Sequence, residues 1–486
     1  MKKVNSKITK WLLTVILTIT VVSINSLSSF KKIVTSGNCT NNILLLDSSK
    51  LSNTTQKNYK KVHIVKHMMS GSDIDSIIIA KQISWANLGF GNFLITMPVG
   101  TDFRSLTPEF YLTHGSVISP KSGTQIDFCK GPVTFKVTNE KGITKDYNVM
   151  ASLPLIKADD KSIQYTGRID FTMITSPRFS APGVYLRAKF IGTFCDIEIA
   201  DDSNFNYIEV IVDNKEPLRI LVENRKRIFR VANYLSKGEH TILICKDTEA
   251  SIGTLTFSGF RCEGLSALTD KPTRKIECYG NSITCGGKMI NELCSQGTGS
   301  NWNITNRAYM SFGAIAAREL NAEWMLTSVS GIGLMHNYGG RGPTLPQVYD
   351  YVYLDKSSSL KWDFSKYIPD AITIELGTND GVQDSTIFCR EYINFIKAIR
   401  SHNPNAHIFC LTGPSTDDKV FQFLKNCITS VVDYMNNSVI PKDDKVHKLI
   451  LSSHGLNGGC DGHPTAEQHK QIADELKTAI KTKLGW

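Results

Sequence analysis

The sequence predicts a multidomain chain in which two all-β regions precede an α/β domain built on a parallel sheet. Short alternating strands separated by turns run from about Val62 to Leu153 and again from about residue 160 to 262, a pattern typical of β-sandwiches. From Lys275 onward, apolar strands alternate with helical patterns, which indicates a parallel sheet with helices on both faces. A chain of 486 residues is long enough for about three such domains.

The first residues have the pattern of a secretory signal peptide. Four lysines among the first ten residues precede an apolar run from Trp11 to about Ile24, and small residues suited to cleavage follow. The run is short for a transmembrane helix, and an uncleaved anchor is the alternative. We predict a signal peptide over 1–28, a flexible linker rich in Ser, Asn, Thr and Lys over 29–60, and a secreted, periplasmic or cell-surface protein.

The two β regions contain separate sets of strand patterns. The first region has them at Phe93–Val99, Gly115–Gly123, Pro132–Thr138 and Lys145–Met150. The second region has them at Tyr207–Val212, Glu239–Cys245 and Gly253–Phe260. We predict that a short polar connector, Glu263–Arg274, leads from the second region into the α/β domain.

The α/β domain contains five predicted strands, near 276–279, 324–329, 371–376, 407–412 and 447–452. In open α/β sheets, catalytic groups collect at the carboxyl ends of the strands. Glycine-rich or polar motifs follow the first three of these strands, and a fourth motif lies in the loop before the last helix. The sequence therefore predicts an active site assembled from these four motifs.

The first motif places a serine on a sharp turn. Lys275–Cys285 reads K-I-E-C-Y-G-N-S-I-T-C, so Ser282 comes just after a short apolar strand. A serine hydroxyl becomes a useful nucleophile when a turn exposes it and a histidine takes its proton. Gly280 gives the turn conformational freedom, and a helix predicted to start beyond Ser282 would favour a developing oxyanion. Gly-Asn-Ser also occurs in ordinary turns, so the assignment depends on the other motifs.

The second and third motifs offer hydrogen-bond donors. Ser328–Gly333 follows an apolar strand, and its Gly331 allows a backbone N–H to approach a ligand closely. Gly377–Asp380 ends a β-branched strand and presents the side-chain amide of Asn379. Capping of the following helix is the alternative role for this asparagine.

The fourth motif, Gly459–Pro464, contains His463. Thr465–Gln468 has the Thr-x-x-Gln pattern of a capping box, which predicts a helix start. The helix carries an apolar stripe facing the sheet, formed by Ile472, Leu476 and Ile480. A histidine at the start of this packed helix is well placed to meet a serine at a strand end, whereas His469 is predicted to lie on the solvated face.

The order of these motifs resembles that of the SGNH (GDSL-type) hydrolases, named after the serine, glycine, asparagine and histidine of four blocks. The counterparts here are Ser282, Gly331, Asn379 and His463. Between roughly 160 and 486 the chain also resembles carbohydrate esterase family 2. The stretches that carry this resemblance are Thr248–Ser251, Gly253–Phe257, Arg307–Leu320, Ser330–Leu334, Asn337–Gly339 and Cys460–Pro464.

The esterase resemblance implies a jelly-roll β-sandwich over 156–265 and a three-layer, flavodoxin-like SGNH hydrolase domain with a parallel sheet over 274–486. The region before it separately resembles Ig-like modules of bacterial surface and secreted proteins, which implies an Ig-like β-sandwich over 61–155. Ig-like modules usually act as spacers or weak binders, so no catalysis is expected in the first region.

The implied activity is that of a serine esterase that removes O-acetyl groups from acetylxylan or glucomannan. An acetyl-Ser282 intermediate would form, with His463 as general base. The backbone N–H groups of Ser282 and Gly331 and the side-chain amide of Asn379 would form the oxyanion hole.

Two positions depart from the superfamily pattern. Asn281 stands where the first block usually has an aspartate, and we expect this to tune the site rather than abolish it. Cys460 stands three residues before His463, where an aspartate usually orients the imidazole. Either Asp461 orients the imidazole from a rearranged loop, or a main-chain carbonyl does so. We predict a Ser–His dyad with Asp461 as a candidate third member.

The expected partner is an acetylated polysaccharide. Tyr338 and Trp302 are candidates for stacking on a sugar ring, with core packing as the alternative. The net charge of +10 is dispersed, apart from Arg225–Arg227, so no nucleic acid partner is predicted. A membrane contact is expected only through an uncleaved N-terminal segment, and the sequence makes no prediction of the oligomeric state.

No metal or other cofactor is expected. The cysteines and histidines lack paired ligand spacings, and the sequence has no P-loop motif. Twelve cysteines are spread over the chain. Those in or near the active-site motifs are candidates for disulfides, although their spacing leaves the connectivity open: Cys278, Cys285, Cys294 and Cys460.

Two other functions are consistent with parts of the sequence. A lipase or aryl esterase acting on other acyl esters would need a long hydrophobic binding surface, which the sequence does not show. A catalytically inactive carbohydrate-binding protein is favoured by the two departures at Asn281 and Cys460. Retention of all four block residues favours the active esterase.

Overall fold

The computed structural model describes residues 73–223, 227–297, 299–414, 417–452, 455 and 457–486. The predicted signal peptide, the linker and the first residues of the predicted Ig-like domain lie outside the described residues. Arg225 and Lys226 of the basic cluster also lie outside them. In the described part of the chain, no helix is both long and apolar enough to cross a membrane.

The first β region contains seven strands within its described residues. They are β1 (Ile74–Ile78), β2 (Ser84–Gly89), β3 (Asn92–Thr96), β4 (Glu109–Leu112), β5 (Val117–Ser119), β6 (Val133–Thr138) and β7 (Thr144–Ser152). Five of them form a sheet in the order β2-β3-β7-β6-β5, and β1 pairs with β4. Along β6, buried Phe135 and Val137 alternate with exposed residues, because successive side chains of a strand point to opposite faces. All four strand patterns predicted here are confirmed.

The second β region is formed by two sheets that share one core. Its strands are β8 (Ile156–Lys157), β9 (Gln164–Thr166), β10 (Arg178–Phe179), β11 (Tyr185–Ile191), β12 (Cys195–Asp201), β13 (Tyr207–Val212), β14 (Leu218–Leu221), β15 (Ile228–Ala232), β16 (Glu239–Lys246), β17 (Leu255–Arg261) and β18 (Gly264–Ser266). One sheet has the order β10-β17-β12-β15 with β8 at its side, and the other has the order β14-β13-β16-β11-β18 with β9 at its side. Buried side chains such as Phe190, Ile197 and Phe257 fill the core.

The connector after the second β region differs from its prediction. Glu263–Arg274 was predicted to be a polar link, but its Gly264–Ser266 segment is strand β18, which pairs with β11. The hydrogen bonds of an unpaired sheet edge favour the addition of such a strand, although its sequence is short and only partly apolar.

The C-terminal region is a three-layer α/β domain with a parallel sheet, as predicted. Its strands are β19 (Arg274–Gly280), β20 (Ala322–Ser328), β21 (Ala371–Glu375), β22 (His407–Leu411) and β23 (Val446–Leu449), in the order β20-β19-β21-β22-β23. Its helices are α1 (Phe312–Glu319), α2 (Leu345–Val348), α3 (Ser385–His402), α4 (Asp418–Asn437) and α5 (Ala466–Leu484). Helices α1 and α5 cover one face of the sheet, and α3 and α4 cover the other.

The strand order reverses next to β19, whose neighbours are β20 and β21. A crevice forms where chain connections leave a parallel sheet in opposite directions, and ligands bind there at the carboxyl ends of the strands. The first three predicted motifs follow these three strands.

Short 3₁₀ helices complete the regular structure, at Phe103–Ser105, Ala250–Ile252, Asn291–Leu293, Gly299–Thr305, Ala308–Met310, Tyr338–Gly340, Phe364–Lys366 and Cys460–Gly462.

A buried arginine, Arg168, joins the second β region to the α/β domain. Its guanidinium lies 3.3 Å from the carboxylate of Glu277, with both side chains at most 1% exposed. It also donates to the Thr327 hydroxyl at 3.1 Å and to the carbonyl of Tyr351 at 3.0 Å. Because a buried charge must be paired and hydrogen-bonded, these contacts fix the two regions against each other.

A second buried arginine, Arg230, joins the two β regions. It pairs with Asp196 of its own region at 2.6 Å and donates to the carbonyls of Phe128 and Cys129 in the first region at 2.7 and 2.9 Å. Its guanidinium also lies 4.2 Å from the ring centre of Phe194, and that ring packs into the core of the first region.

Candidate active site

The turn that carries Ser282 begins where β19 ends. The Cys285 N–H donates to the Asn281 carbonyl at 3.0 Å, and the Gly287 N–H donates to the Ser282 carbonyl at 2.8 Å. A Cβ on Gly280 would lie 2.0 Å from the Thr284 hydroxyl, so only glycine fits this position. The helix predicted to start beyond Ser282 was wrong: residues 281–288 form turns and a bend instead, because consecutive glycines follow Cys285.

Asn281, which stands where the superfamily usually has an aspartate, contacts Glu375 at the end of β21. The Asn281 side-chain amide donates to Glu375 Oε1 at 3.1 Å, and the Thr284 hydroxyl donates to Oε2 at 3.2 Å. Burial raises the pKa of Glu375 to about 8, while both hydrogen bonds oppose this shift. An aspartate at position 281 would place a second carboxyl group here, so the asparagine matches the glutamate.

His463 contacts Ser282 directly. Its Nε2 lies 2.8 Å from Ser282 Oγ, and its Nδ1 lies 3.1 Å from the carbonyl oxygen of Cys460 and 3.2 Å from that of Asp461. Carbonyl oxygens only accept hydrogen bonds, so Nδ1 carries the hydrogen and Nε2 presents its lone pair to the serine hydroxyl. This is the tautomer that a general base requires.

The carboxylate of Asp461 does not reach the imidazole, so its predicted role as a third side chain in the site was wrong. It pairs with Lys288 Nζ at 2.6 Å and is 73% exposed. The backbone of Asp461 is left-handed, with φ 49° and ψ 42°, and this conformation turns its carbonyl toward His463 and its side chain away. Of the two alternatives that the sequence left open, the structure shows the main-chain carbonyl.

Electrostatics favour the neutral form of His463. Burial, and next the positive charge of Lys288, lower the pKa of the imidazole below its usual value, and the carbonyls of Asp461 and Cys460 only partly oppose this. A neutral imidazole accepts a proton, so the shift keeps His463 ready as a base at neutral and mildly acidic pH.

Two residues predicted to supply hydrogen-bond donors, Gly331 and Asn379, line the same cleft as Ser282. Gly331 has φ 76°, a conformation that favours glycine, and it lines the same cleft as Ser282 and Asn379. The Asn379 amide donates to the carbonyl of Ile332 at 2.8 Å. Because an amide nitrogen carries two hydrogens, one remains for a ligand. The alternative capping role of Asn379 does not apply, since Asp384 caps helix α3.

Two buried carboxylates that the sequence did not identify hold the loop around Gly331. Glu249 of the second β region accepts from the Ser330 N–H at 3.2 Å. Asp380 accepts from three consecutive N–H groups at 2.6–2.9 Å, those of Leu334, Met335 and His336. Both acids lie in motifs that pointed to the family, at Thr248–Ser251 and Gly377–Asp380, but neither position alone indicates what the carboxylate contacts.

All seven predicted site residues line one cleft of about 980 Å³. They are Ser282, Gly331, Asn379, Asp461, His463, Tyr338 and Trp302. Tyr338 is 82% exposed, so core packing does not explain it. Trp302 is partly buried and lies in the 3₁₀ helix Gly299–Thr305.

His469 is not on a solvated face, so that prediction was wrong. Its side chain is fully buried, and its Nδ1 accepts from the Phe312 N–H of α1 at 3.1 Å. Burial lowers its pKa to about 3. Its position three residues before Ile472 places it on the apolar stripe, a signal that was present in the sequence. The predicted capping box is confirmed, with Thr465 and Gln468 bonded to each other's backbone.

One disulfide joins the cleft walls. Cys294 pairs with Cys460 across 166 residues of sequence. The other two candidate cysteines, Cys278 and Cys285, are buried free thiols. Cys285 donates to the Ser328 hydroxyl at 3.3 Å behind the nucleophile turn.

Three family models match the chain. GDSL-like Lipase/Acylhydrolase matches residues 276–476, Carbohydrate esterase 2 N-terminal matches 165–272, and SGBP, N-terminal matches 91–151. The first two cover the α/β domain and most of the second β region, in the order that the sequence motifs indicated.

Two curated relatives and one solved structure are similar over the same part of the chain. Cellulase/esterase CelE of Acetivibrio thermocellus is 35% identical over 339 residues, which is 68% of this chain, and the chain spans 40% of the length of CelE. An acetylxylan esterase / glucomannan deacetylase of Cellvibrio japonicus is 27% identical, over 70% of this chain and 94% of the relative. The structure of a family two carbohydrate esterase from Clostridium thermocellum in complex with cellohexaose has a TM-score of 0.62 and 35% identity, over 67% of this chain and 99% of that one.

Proposed function

The chain belongs to carbohydrate esterase family 2, and on this basis we propose that it is a serine esterase that removes O-acetyl groups from a plant polysaccharide. The observation that carries this proposal is the 2.8 Å contact between Ser282 Oγ and His463 Nε2. The tautomer imposed by two carbonyls makes this contact a nucleophile–base pair.

The proposed reaction proceeds through an acetyl-enzyme. His463 takes the hydroxyl proton as Ser282 Oγ attacks the acetyl carbonyl, and it then gives the proton to the departing sugar oxygen. A water molecule, activated by the same imidazole, attacks the acetyl-Ser282 ester and releases acetate. The imidazolium formed in each step is stabilised by the main-chain carbonyls at Nδ1, where a triad has a carboxylate.

The oxyanion formed in both steps would be held by three donors. They are the backbone N–H groups of Ser282 and Gly331 and the free hydrogen of the Asn379 amide. Each donor of this kind stabilises the transition state by about 3 kcal/mol. The carboxylates behind this loop, Glu249 and Asp380, hold its backbone in place before the substrate arrives.

The proposed substrate is acetylated xylan or glucomannan. A relative is named acetylxylan esterase / glucomannan deacetylase, and a similar structure contains cellohexaose. The exposed ring of Tyr338 and the partly buried ring of Trp302 border the cleft, where they would stack on sugar rings of the polymer.

We also propose a more specific fold and location for the N-terminal part. The two packed sheets of the second β region support a jelly-roll over 156–265, and the sheet of the first region supports an Ig-like module over 61–155 that acts as a spacer. The N-terminal sequence supports a signal peptide and export. The Cys294–Cys460 disulfide agrees with an oxidising compartment.

Acetate release from acetylated xylan and glucomannan tests the proposal. The purified chain and Ser282→Ala are compared, with Ser401→Ala as a matched control, because Ser401 lies exposed on α3. We expect release by the parent and by the control, and a loss of at least about 10⁴-fold for Ser282→Ala. If the parent releases no acetate from either polymer or from 4-nitrophenyl acetate, the esterase assignment is wrong, and polysaccharide binding without catalysis replaces it.

A further inference from the structure

We propose that the Cys294–Cys460 disulfide is a positioning element for His463, and that the esterase therefore loses activity when this disulfide is reduced. The inference rests on the proposed function. It concerns how the general base is oriented in a site where no carboxylate contacts the imidazole.

The orienting group of His463 is the main chain itself. Nδ1 faces the carbonyl oxygens of Cys460 and Asp461 at 3.1 and 3.2 Å. A carboxylate on a side chain adjusts its position by rotation about its own bonds. A carbonyl moves only when the backbone moves. The position of the imidazole ring therefore depends on how rigidly the backbone of Gly459–His463 is held.

The disulfide is the covalent restraint on that segment. Cys460 occupies the position where the superfamily has its aspartate, and here its side chain is buried and bonded to the partly buried Cys294. At Cys460, therefore, the backbone carbonyl contacts His463, and the side chain restrains the backbone that carries this carbonyl.

The other restraints on the segment are individually weak. The Cys460 N–H donates to the Lys288 carbonyl at 2.8 Å, and the Gly459 N–H donates to the His463 carbonyl at 2.7 Å. The Lys288–Asp461 ion pair has a carboxylate that is 73% exposed, and exposed pairs contribute little. The left-handed backbone of Asp461 is unfavourable for a residue with a side chain, so this turn needs support from its surroundings.

The partner cysteine connects this support to a fixed part of the domain. Cys294 follows the 3₁₀ helix Asn291–Leu293, and the preceding Met289 and Ile290 N–H groups both donate to the Thr305 carbonyl, at 2.8 and 3.0 Å. The disulfide therefore joins the Gly459–His463 segment to the part of the cleft wall that carries Trp302.

Reduction would remove the restraint while changing only Cys294 and Cys460 among the side chains that line the cleft. Dithiothreitol donates two electrons and two protons, the S–S bond breaks, two thiols form, and the reagent becomes a cyclic disulfide. The turn could then shift, and a displacement of about 1 Å in a catalytic group lowers turnover by up to roughly 10²-fold.

The experiment compares kcat and KM for 4-nitrophenyl acetate before and after reduction by dithiothreitol. The proteins are the full chain, Cys294→Ala/Cys460→Ala, and the matched control Cys389→Ala/Cys427→Ala, whose cysteines are free and lie on α3 and α4. We expect reduction to lower kcat of the full chain about tenfold or more, with KM changed less than about twofold. The control should respond in the same way, and the variant without the disulfide should be slow from the start and insensitive to dithiothreitol.

A second measurement follows the histidine rather than the reaction. The proton on His463 Nδ1, held by two carbonyls, should give a downfield ¹H NMR resonance in the oxidised protein that is absent in His463→Ala and is lost or moved on reduction. Circular dichroism of the same samples shows that the fold is retained. Preserved resonance and preserved kcat, after mass spectrometry has shown two new thiols, would overturn the inference.

The two proposals fail in different ways. If the oxidised chain hydrolyses no acetyl ester but the resonance depends on the disulfide, the esterase function is wrong and the positioning role stands. If the chain is an esterase but neither its kcat nor the resonance of the His463 Nδ1 proton changes on reduction, the proposed function stands and the positioning role is wrong.

Discussion

The two β regions differ in how they relate to the active site. Neither contributes a side chain to the cleft in the described part of the chain. The second region nevertheless reaches the cleft from behind, where Glu249 accepts from the Ser330 N–H. The first region contacts the second through Arg230 and Phe194. One β region is thus a structural part of the esterase site, and the other is attached to it.

Buried polar groups show the difference most clearly. Lys246 is fully buried at the end of β16, and its Nζ donates to the carbonyls of Thr248 and Glu249 at 2.8 and 2.9 Å. It therefore fixes the backbone of the segment whose Glu249 side chain holds the loop around Gly331. Arg230, the buried charge between the two β regions, instead contacts Asp196 and backbone carbonyls of the first region, none of which belongs to a residue that lines the cleft.

Removing Arg168 should give the largest effect on the α/β domain. Arg168→Met leaves the Glu277 carboxylate buried without its cation, which should destabilise the protein by about 3–5 kcal/mol. Urea or thermal unfolding measures this. Arg178→Met is the control, because its pair with Asp202 is 3.9 Å long and half exposed, and it should cost less than about 1 kcal/mol. Equal effects of the two variants would show that Arg168 does not join the regions.

Removing Glu249 should affect catalysis next most strongly. Glu249→Ala leaves the Ser330 N–H without its buried acceptor, which costs about 2 kcal/mol. If the loop around Gly331 shifts as a result and this cost appears in the activation free energy, kcat should fall roughly thirtyfold. Glu249→Gln keeps an acceptor oxygen and should retain more activity. Glu198→Gln is the control, since its partner Arg261 lies away from the cleft. An unchanged kcat for Glu249→Ala would show that the second β region, like the first, does not support the site.

Removing Arg230 should have a small effect on the esterase. Arg230→Met breaks the contacts with Phe128 and Cys129 and leaves the Asp196 carboxylate buried without its cation, so the junction of the two β regions should lose stability and the first region should become more sensitive to protease. The kcat for a small acetyl ester should stay within about twofold of the parent, because no described contact of Arg230 reaches the α/β domain. Limited proteolysis and kinetics on the same sample measure both. A large loss of kcat would contradict the view that the first region is an attachment.

The smallest expected effect is a shift in the pH profile. Because the pKa of His463 is lowered, the base form persists below pH 6.5, and the acid limb of kcat/KM should have its midpoint below that value. Lys288→Met removes a positive charge beside the imidazole, so the midpoint should rise. Lys145→Met, which removes a lysine paired with Asp73 in the first region, should leave it unchanged. Equal midpoints in all three proteins would show that Lys288 does not influence His463.

The sequence by itself determined that β-rich regions precede an α/β domain, where the strands of that domain lie, and which four motifs meet at the candidate site. These features are local: a β-branched run followed by glycine and a polar residue specifies a strand end and its turn within about ten residues. Ser282, Gly331 and Asn379 are brought together because parallel strands end at one edge of the sheet. His463 joins them because the capping box fixes where α5 begins.

The tertiary structure alone decided which atoms orient and support these residues. Whether a carboxylate or a carbonyl faces His463 depends on the left-handed backbone of Asp461, and the disulfide partner of Cys460 lies 166 residues away. Glu249 of the second β region meets Ser330 of the α/β domain across 81 residues. Sequence periodicity reports which face of an element is buried, but not which buried polar groups meet, because that depends on the docking of distant elements.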